Sequence, residues 1–80
     1  MKASIYVTLK EEVLDPQGDA VRRALQDLSL PVRGVRVGKL IEVDLHETER
    51  AAAEASVRRM CERLLANPVI EDYRFELRED

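Results

Sequence analysis

The spacing of the apolar residues alternates between a period of two and a period near 3.6, and the order of these periods restricts the fold most. Residues 2–10 place apolar side chains at every second position, with polar ones between them: Ala3, Ile5, Val7 and Leu9. A period of two is typical of a strand with one buried face. We therefore predict a first strand over residues 2–10.

A helix is predicted next, beginning at an Asp-Pro pair. Asp15 is the expected N-cap, accepting a hydrogen bond from the N–H of Gln17 or Gly18, and Pro16 suits the first helical position. The following apolar residues fall on one stripe of a helix that should end near residue 28: Val21, Ala24, Leu25 and Leu28. This first helix is amphipathic.

The middle of the chain returns to a period of two. Val35 and Val37 face one side of a second predicted strand, with Arg36 between them. Gly38 and Lys39 can supply a tight hairpin. The third predicted strand then has alternating apolar residues: Ile41, Val43 and Leu45.

A second helix is predicted over residues 49–66, with Thr48 as its N-cap. Its apolar residues keep helical spacing: Ala53, Val57, Met60, Cys61 and Leu64. Glu54 is placed to pair with Arg58. Asn67 and Pro68 end the helix. A fourth strand then carries alternating apolar residues: Tyr73, Phe75 and Leu77.

The element order βαββαβ predicts the α+β class. We expect one ferredoxin-like domain over residues 1–80, with a four-stranded antiparallel sheet and both helices on one face. A chain this short has a small core, which favours self-association. The second strand would lie at a sheet edge and could pair with another copy, but Arg33, Arg36 and Lys39 could equally block such pairing.

Charge and hydropathy exclude several classes of protein. The 13 basic and 16 acidic residues give a net charge of −3, which disfavours nucleic-acid binding. We also expect no membrane association and a cytoplasmic location, because neither a signal-peptide pattern nor a spanning apolar run occurs. The single cysteine, Cys61, cannot form an internal disulfide.

The side chains provide little that could catalyse a reaction or hold a metal. Cys61 falls on the apolar stripe of the second helix and is expected to be buried. His46 has no second histidine or cysteine beside it and is expected to be solvated. Gly18 either accommodates the first helical turn or allows close approach of another backbone segment. We predict no catalytic, cofactor-binding or metal-binding residue in this chain.

Four segments together resemble the PurS family, in matching order and spacing. They are YVTLK at residues 6–10, VLDPQG at 13–18, VRVGK at 35–39 and LANPVIEDY at 65–73. The resemblance implies the small, non-catalytic subunit of bacterial phosphoribosylformylglycinamidine (FGAM) synthase. It also implies a homodimer that bridges a glutaminase subunit, PurQ, and a synthetase subunit, PurL, and assists ammonia transfer. ATP and magnesium would then be used by the complex and not bound by this chain.

The candidate interface residues are motif positions that the alternation places outside the core: Tyr6, Asp15, Gln17, Gly18, Arg36, Lys39, Asn67, Glu71 and Asp72. The alternative function is a dimeric regulatory domain of similar fold that binds a small molecule near Asp15 and Gly18. Acylphosphatase-like catalysis is a third possibility, but the chain lacks the basic phosphate-cradling loop that this chemistry requires.

Overall fold

The computed structural model describes all 80 residues. The chain forms a three-stranded antiparallel sheet and two helices, joined by loops. The elements are β1 (Lys2–Leu9), α1 (Pro16–Asp27), β2 (Gly38–Asp44), α2 (Arg50–Met60), a π-helical turn (Cys61–Leu65) and β3 (Glu71–Arg78). The strand order is β2-β1-β3. The predicted α+β class is confirmed, as is the order of strands and helices apart from one missing strand.

The core lies between β1 and α2. β1 is the central strand, and Ile5 stands opposite Ile41 of β2 and Phe75 of β3. The largest fully buried side chains are Ile5, Val7, Val57 and Cys61. The apolar face of β1 and the apolar stripe of α2 therefore pack against each other, as the periods of two and 3.6 predict.

The second helix ends in a π-helical turn. The Ala66 N–H donates to the Cys61 carbonyl oxygen at 3.0 Å, five residues back. A wider turn brings residues five apart towards the same side of the helix, and both Cys61 and Ala66 are buried. The predicted range of 49–66 is nearly correct, but Thr48 as N-cap is wrong, because Glu49 holds that position without a side-chain bond.

The predicted second strand does not form, so the expectation of a four-stranded sheet is wrong. Residues 35–37 pair with no strand, and Gly38 and Lys39 open β2 instead of forming a hairpin. The backbone N–H of Val37, which a ladder would need, donates to the Asp15 carboxylate at 2.8 Å. This side-chain bond competes with strand pairing.

The expectation that both helices cover one sheet face is also wrong. α2 packs against β3, whereas α1 lies against no other helix or strand to a comparable extent. The molecule measures 48 × 28 × 14 Å, and its Cα radius of gyration is 15.9 Å. A compact chain of this length would have a radius of about 12 Å. The ferredoxin-like arrangement is therefore incomplete within one chain, because α1 extends away from the sheet.

Candidate functional site

Eight of the nine candidate interface residues lie at one end of the sheet, where β1 ends and β2 and β3 begin. The register pairs Thr8 with Gly38 and Leu9 with Glu71 at this end. We call it the junction end, comprising residues 8–18, 35–39 and 66–72. Tyr6 is the exception, because it lies further along β1 on the sheet face that carries no helix.

Asp15 connects the start of α1 to the segment before β2. Its Oδ1 accepts from the Gly18 N–H at 2.9 Å, as predicted, and its Oδ2 accepts from the Val37 N–H at 2.8 Å. The side chain belongs to a residue that is only 7% exposed. The bond from Val37, followed by that from Gly18, holds the pKa of Asp15 below its usual value of 3.8, although burial opposes this.

Arg36 holds the loop that leads into α1. Its guanidinium donates to the carbonyl oxygens of Val13 at 3.0 Å, Lys10 at 2.9 Å and Leu9 at 3.5 Å. A guanidinium can serve several acceptors at once because its donors form a rigid fork. Asp15 and Arg36, with the backbone groups that they bind, form what we call the root clamp.

Gly18 is buried inside the root clamp. A Cβ added there would collide with the Val35 carbonyl oxygen and would lie 2.7 Å from Asp15 Oδ2. A backbone segment therefore does approach Gly18 closely, but it belongs to the same chain, and the predicted role of Gly18 at an interface stays a prediction. Gly34, by contrast, has nothing within 4 Å of an added Cβ.

Glu71 joins the remaining candidate residues at the junction end. Its Oε1 accepts from the Asn67 N–H at 2.6 Å, and its Oε2 lies 3.8 Å from Lys39 Nζ. Asp72 Oδ1 lies 3.9 Å from Lys10 Nζ. Each ion pair has one exposed partner, Lys39 or Asp72, and at such distances contributes little to stability.

Two open clefts adjoin Glu71. One, of about 390 Å³, lies between the π-helical turn and the start of β3, and Lys10, Glu62 and Tyr73 contribute to its lining. The other, of about 270 Å³, lies beside the start of α1, where Gln17 and Lys39 contribute. Each cleft is lined by charged side chains of both signs.

The two groups most able to act as a nucleophile or a base lie apart. Cys61 is fully buried as predicted, and burial, with a smaller effect of Glu62, raises the pKa of its thiol. His46 is exposed, as expected, in the connection between β2 and α2. No group of three or more His, Cys, Asp or Glu side chains is arranged to hold a metal ion.

The open sheet face is centred on Tyr6. The Arg74 guanidinium lies over its ring, with Cζ 4.0 Å from the centroid, and Leu40 opposite Tyr6 is 55% exposed. A cation over an aromatic face is weakly stabilising at an exposed site. Arg36, predicted to lie between Val35 and Val37 in a second strand, is not part of the sheet and belongs to the root clamp.

The feature that sequence reasoning missed is the exposure of α1. Gly18 is its only buried residue, while Val21 is 38% exposed and Leu28, at its C-cap, is 70% exposed. The amphipathic spacing was a clear signal of burial. It did not reveal that the chain's own sheet leaves this stripe uncovered.

No helix is long and apolar enough to cross a bilayer. The fold and the junction end define the class, a small α+β domain whose ionised groups hold its own backbone and whose first helix is largely exposed. Comparison with known protein families identifies the family to which the chain belongs. The family model described as "PurS: Phosphoribosylformylglycinamidine (FGAM) synthase" matches residues 2–79, and the chain belongs to this PurS family of FGAM synthase subunits.

Relatives agree with this assignment over nearly the whole chain. The PurS subunit of FGAM synthase from Bacillus subtilis is 49% identical over 79 residues, which are 98% of this chain and 93% of that protein. The structure of PurS from Methanocaldococcus jannaschii matches with a TM-score of 0.89 at 36% identity, covering 99% of this chain and 96% of that one. It is described as one of the subunits of formylglycinamide ribonucleotide amidotransferase in the purine biosynthetic pathway.

A further match is a chain in the structure of PurLQS from Thermotoga maritima. The TM-score is 0.87 at 34% identity, covering 94% of this chain and 93% of that one.

Proposed function

We propose that this chain is the structural subunit that bridges the PurQ glutaminase and the PurL synthetase and assists the transfer of ammonia between them. The complex would convert formylglycinamide ribonucleotide, glutamine and ATP to FGAM, glutamate, ADP and phosphate. The observation that carries the proposal is the match to a chain of a PurLQS structure at a TM-score of 0.87. ATP and magnesium belong, in this proposal, to the partner subunits.

The chemistry of ammonia explains why a subunit without its own active site would be useful. Ammonia released into water near neutral pH is protonated and loses its nucleophilic lone pair. A bridging subunit keeps the two active sites aligned and shields the path from water. The root clamp supports a positional role, because Asp15 and Arg36 direct their hydrogen bonds to the chain's own backbone.

We further propose that the chain acts as a homodimer. Its accessible surface is 6098 Å². A compact monomer of 9.2 kDa would expose about 4,900 Å². The excess of about 1,200 Å² per copy is larger than the roughly 800 Å² that each partner buries in a standard interface.

Reconstitution of the complex tests the bridging function. PurL and PurQ are assayed with and without this chain, once with glutamine and once with ammonium chloride as the nitrogen source. We expect omission to abolish glutamine-dependent synthesis and to spare most ammonia-dependent synthesis. An equal loss of both activities would contradict ammonia transfer and would indicate that the chain stabilises PurL.

In the alternative function, that of a small-molecule regulatory domain, the ligand was predicted to bind near Asp15 and Gly18. Asp15 already binds two backbone N–H groups, and Gly18 is covered by Val35. The neighbouring cleft with Gln17 and Lys39 is the surface that a ligand would have to use. Calorimetry of the isolated chain with amino acids and nucleotides separates the two functions, because the bridging function requires no binding in that experiment.

A further inference from the structure

The three most exposed large apolar side chains of the protein flank the junction end. They are Leu14, Leu64 and Val69, which are 83%, 82% and 78% exposed. We call them the anchor residues. Single apolar side chains are common on protein surfaces, whereas a group of them marks an interaction surface. None of the three belongs to the hydrophobic core or packs against it, so folding of the protomer does not explain their positions.

The chain keeps the anchor residues close enough to share one interface. Leu64 and Val69 are five residues apart, so their Cα atoms are separated by at most about 19 Å. The Lys10 N–H donates to the Ile70 carbonyl oxygen at 2.9 Å, which ties the loop before α1 to the loop before β3. Through this bond, the Cα atoms of Leu14 and Val69 are at most about 26 Å apart. A standard interface buries about 800 Å² per partner and is therefore roughly 30 Å across.

Hydrogen bonds fix the loops that carry two of the anchor residues. Arg36 of the root clamp donates to the Val13 carbonyl oxygen, next to Leu14, at 3.0 Å. Asn67 Oδ1 accepts from the Val69 N–H at 3.0 Å. A surface that is already ordered loses less conformational entropy when a partner binds. The junction end therefore presents its apolar side chains in a prearranged pattern.

The charged groups around the anchor residues are mainly acidic. Glu11 and Glu12 precede Leu14, are exposed and form no ion pair. Residues 10–14 and 67–72 together carry four carboxylates and one ammonium group, which leaves three negative charges. Because potentials across an interface are complementary, the surface that receives this patch should be positively charged.

Of the two partners in the proposed complex, this charge favours the synthetase. In the proposed reaction PurL uses ATP and a ribonucleotide, and both carry phosphate groups. Proteins hold phosphate with arginine and lysine, and the positive potential of such a cluster extends over the neighbouring surface. PurQ acts on glutamine, which has no net charge. Charge complementarity therefore points to PurL.

We propose that the junction end docks on the PurL synthetase, with Leu14, Leu64 and Val69 seated in apolar recesses that are rimmed by lysine or arginine. The anchor residues give affinity because the interface excludes water from them, and the acidic groups guide the approach of the two proteins. The inference rests on the proposed bridging function and assigns the surface used for one of the two partners.

Serine substitutions test the anchor residues. Leu14→Ser and Val69→Ser alter side chains that are mostly exposed, so both variants should keep the stability of the wild-type protomer in urea unfolding. We expect each to raise the dissociation constant for purified PurL about 10-fold or more, and to leave that for PurQ within about twofold. Leu40→Ser is the matched control, because Leu40 is 55% exposed on the open sheet face. An equal effect of Leu40→Ser would overturn the proposal.

The acidic groups are tested by the rate of association. A double variant carrying Glu11→Gln and Glu12→Gln should bind PurL about fivefold more slowly at low salt, and its association rate should depend less on ionic strength. Its dissociation rate should stay within about twofold of wild type. The control carries Glu42→Gln and Glu76→Gln, which remove two exposed charges from the open sheet face. Identical association rates for the two double variants would contradict guidance by the junction end.

Further outcomes separate this inference from the proposed function. Analytical ultracentrifugation of Leu14→Ser and Val69→Ser should give the wild-type mass. A lower mass with unchanged binding to PurL would overturn the proposal, because the anchor residues would then join copies of this chain. A loss of binding confined to PurQ would overturn it as well. Wild type that restores glutamine-dependent synthesis, with variants that bind PurL equally well, would leave the bridging function standing without this surface. Wild type that does not bind PurL would refute both.

Discussion

At the residue scale, the root clamp separates what the sequence could predict from what it could not. The bond from the Gly18 N–H to Asp15 spans three residues and follows from the N-cap preference of aspartate. The bonds from Val37 to Asp15 and from Arg36 to Lys10 span 22 and 26 residues. No local pattern encodes such contacts, because they depend on how two connections pack against each other.

The ionisation of Asp15 gives a pH-dependent prediction for Asp15→Asn. Hydrogen bonds from Val37 and Gly18 lower the folded-state pKa of Asp15 below 3.8. The resulting stabilisation is complete above the unfolded-state pKa and is lost as the pH falls through the lower folded-state pKa. We therefore expect wild type to be more stable than Asp15→Asn by a constant amount from about pH 5 to pH 7, and by less below about pH 4.

Urea unfolding at each pH measures this difference in the free energy of unfolding. Asp19→Asn is the matched control, because Asp19 lies on the exposed side of the same helix and pairs only weakly with Arg22, at 3.8 Å. A wild-type advantage that stays unchanged between about pH 5 and pH 3 would contradict the role of the charged Asp15.

Gly18 and Gly34 form a matched pair for testing the close approach of the Val35 backbone to the first turn of α1. Helix propensity alone would make Gly18→Ala more stable by about 1 kcal/mol. The added methyl group, however, would meet the Val35 carbonyl and the Asp15 carboxylate. We expect a net loss of at least about 1 kcal/mol in the free energy of unfolding, measured by urea denaturation. Gly34→Ala should change little, and a stabilised Gly18→Ala variant would mean that Val35 moves aside freely.

At the scale of elements, periodicity predicted every helix and strand that finds a partner inside the chain. β1, β2 and β3 were recognised because alternate residues of β1 are buried and those of β2 and β3 pack, partly buried, against the core. The segment around Val35 and Val37 has the same alternation but is no strand, because its backbone is held by the root clamp. Propensity describes what a segment can form, and the available hydrogen-bond partners decide what it does form.

The π-helical turn gives a prediction about the accessibility of its two sides. Cys61 is fully buried and its thiol pKa is raised by burial, whereas Leu64 is 82% exposed. Thiol labelling of native Cys61 should therefore be at least about 100-fold slower than labelling of the new cysteine in Leu64→Cys, because it requires local opening. Labelling followed by mass spectrometry distinguishes the sites. Similar rates at both sites would contradict a closed core between β1 and α2.

At the scale of the whole molecule, the shape explains why the fold was predicted only in part. The expected ferredoxin-like sandwich assumed that α1 would cover its own sheet, as an amphipathic helix in a single compact domain must. The observed protomer is instead elongated, with a radius of gyration of 15.9 Å. A sequence records that a helix face must be buried, but it does not record whether the covering surface belongs to the same copy.

A protomer that exposes this much apolar surface should gain its stability from association, which makes the stability concentration-dependent. If folding is coupled to dimerisation, the midpoint of thermal unfolding rises with protein concentration. We expect wild type to show this rise over a range of about 1 to 100 μM in differential scanning calorimetry. Leu28→Ser should unfold at a lower midpoint that reaches the wild-type value only at higher concentration, because it weakens association without removing a contact buried within the protomer. A wild-type midpoint independent of concentration, together with a monomer mass in ultracentrifugation, would contradict the homodimer.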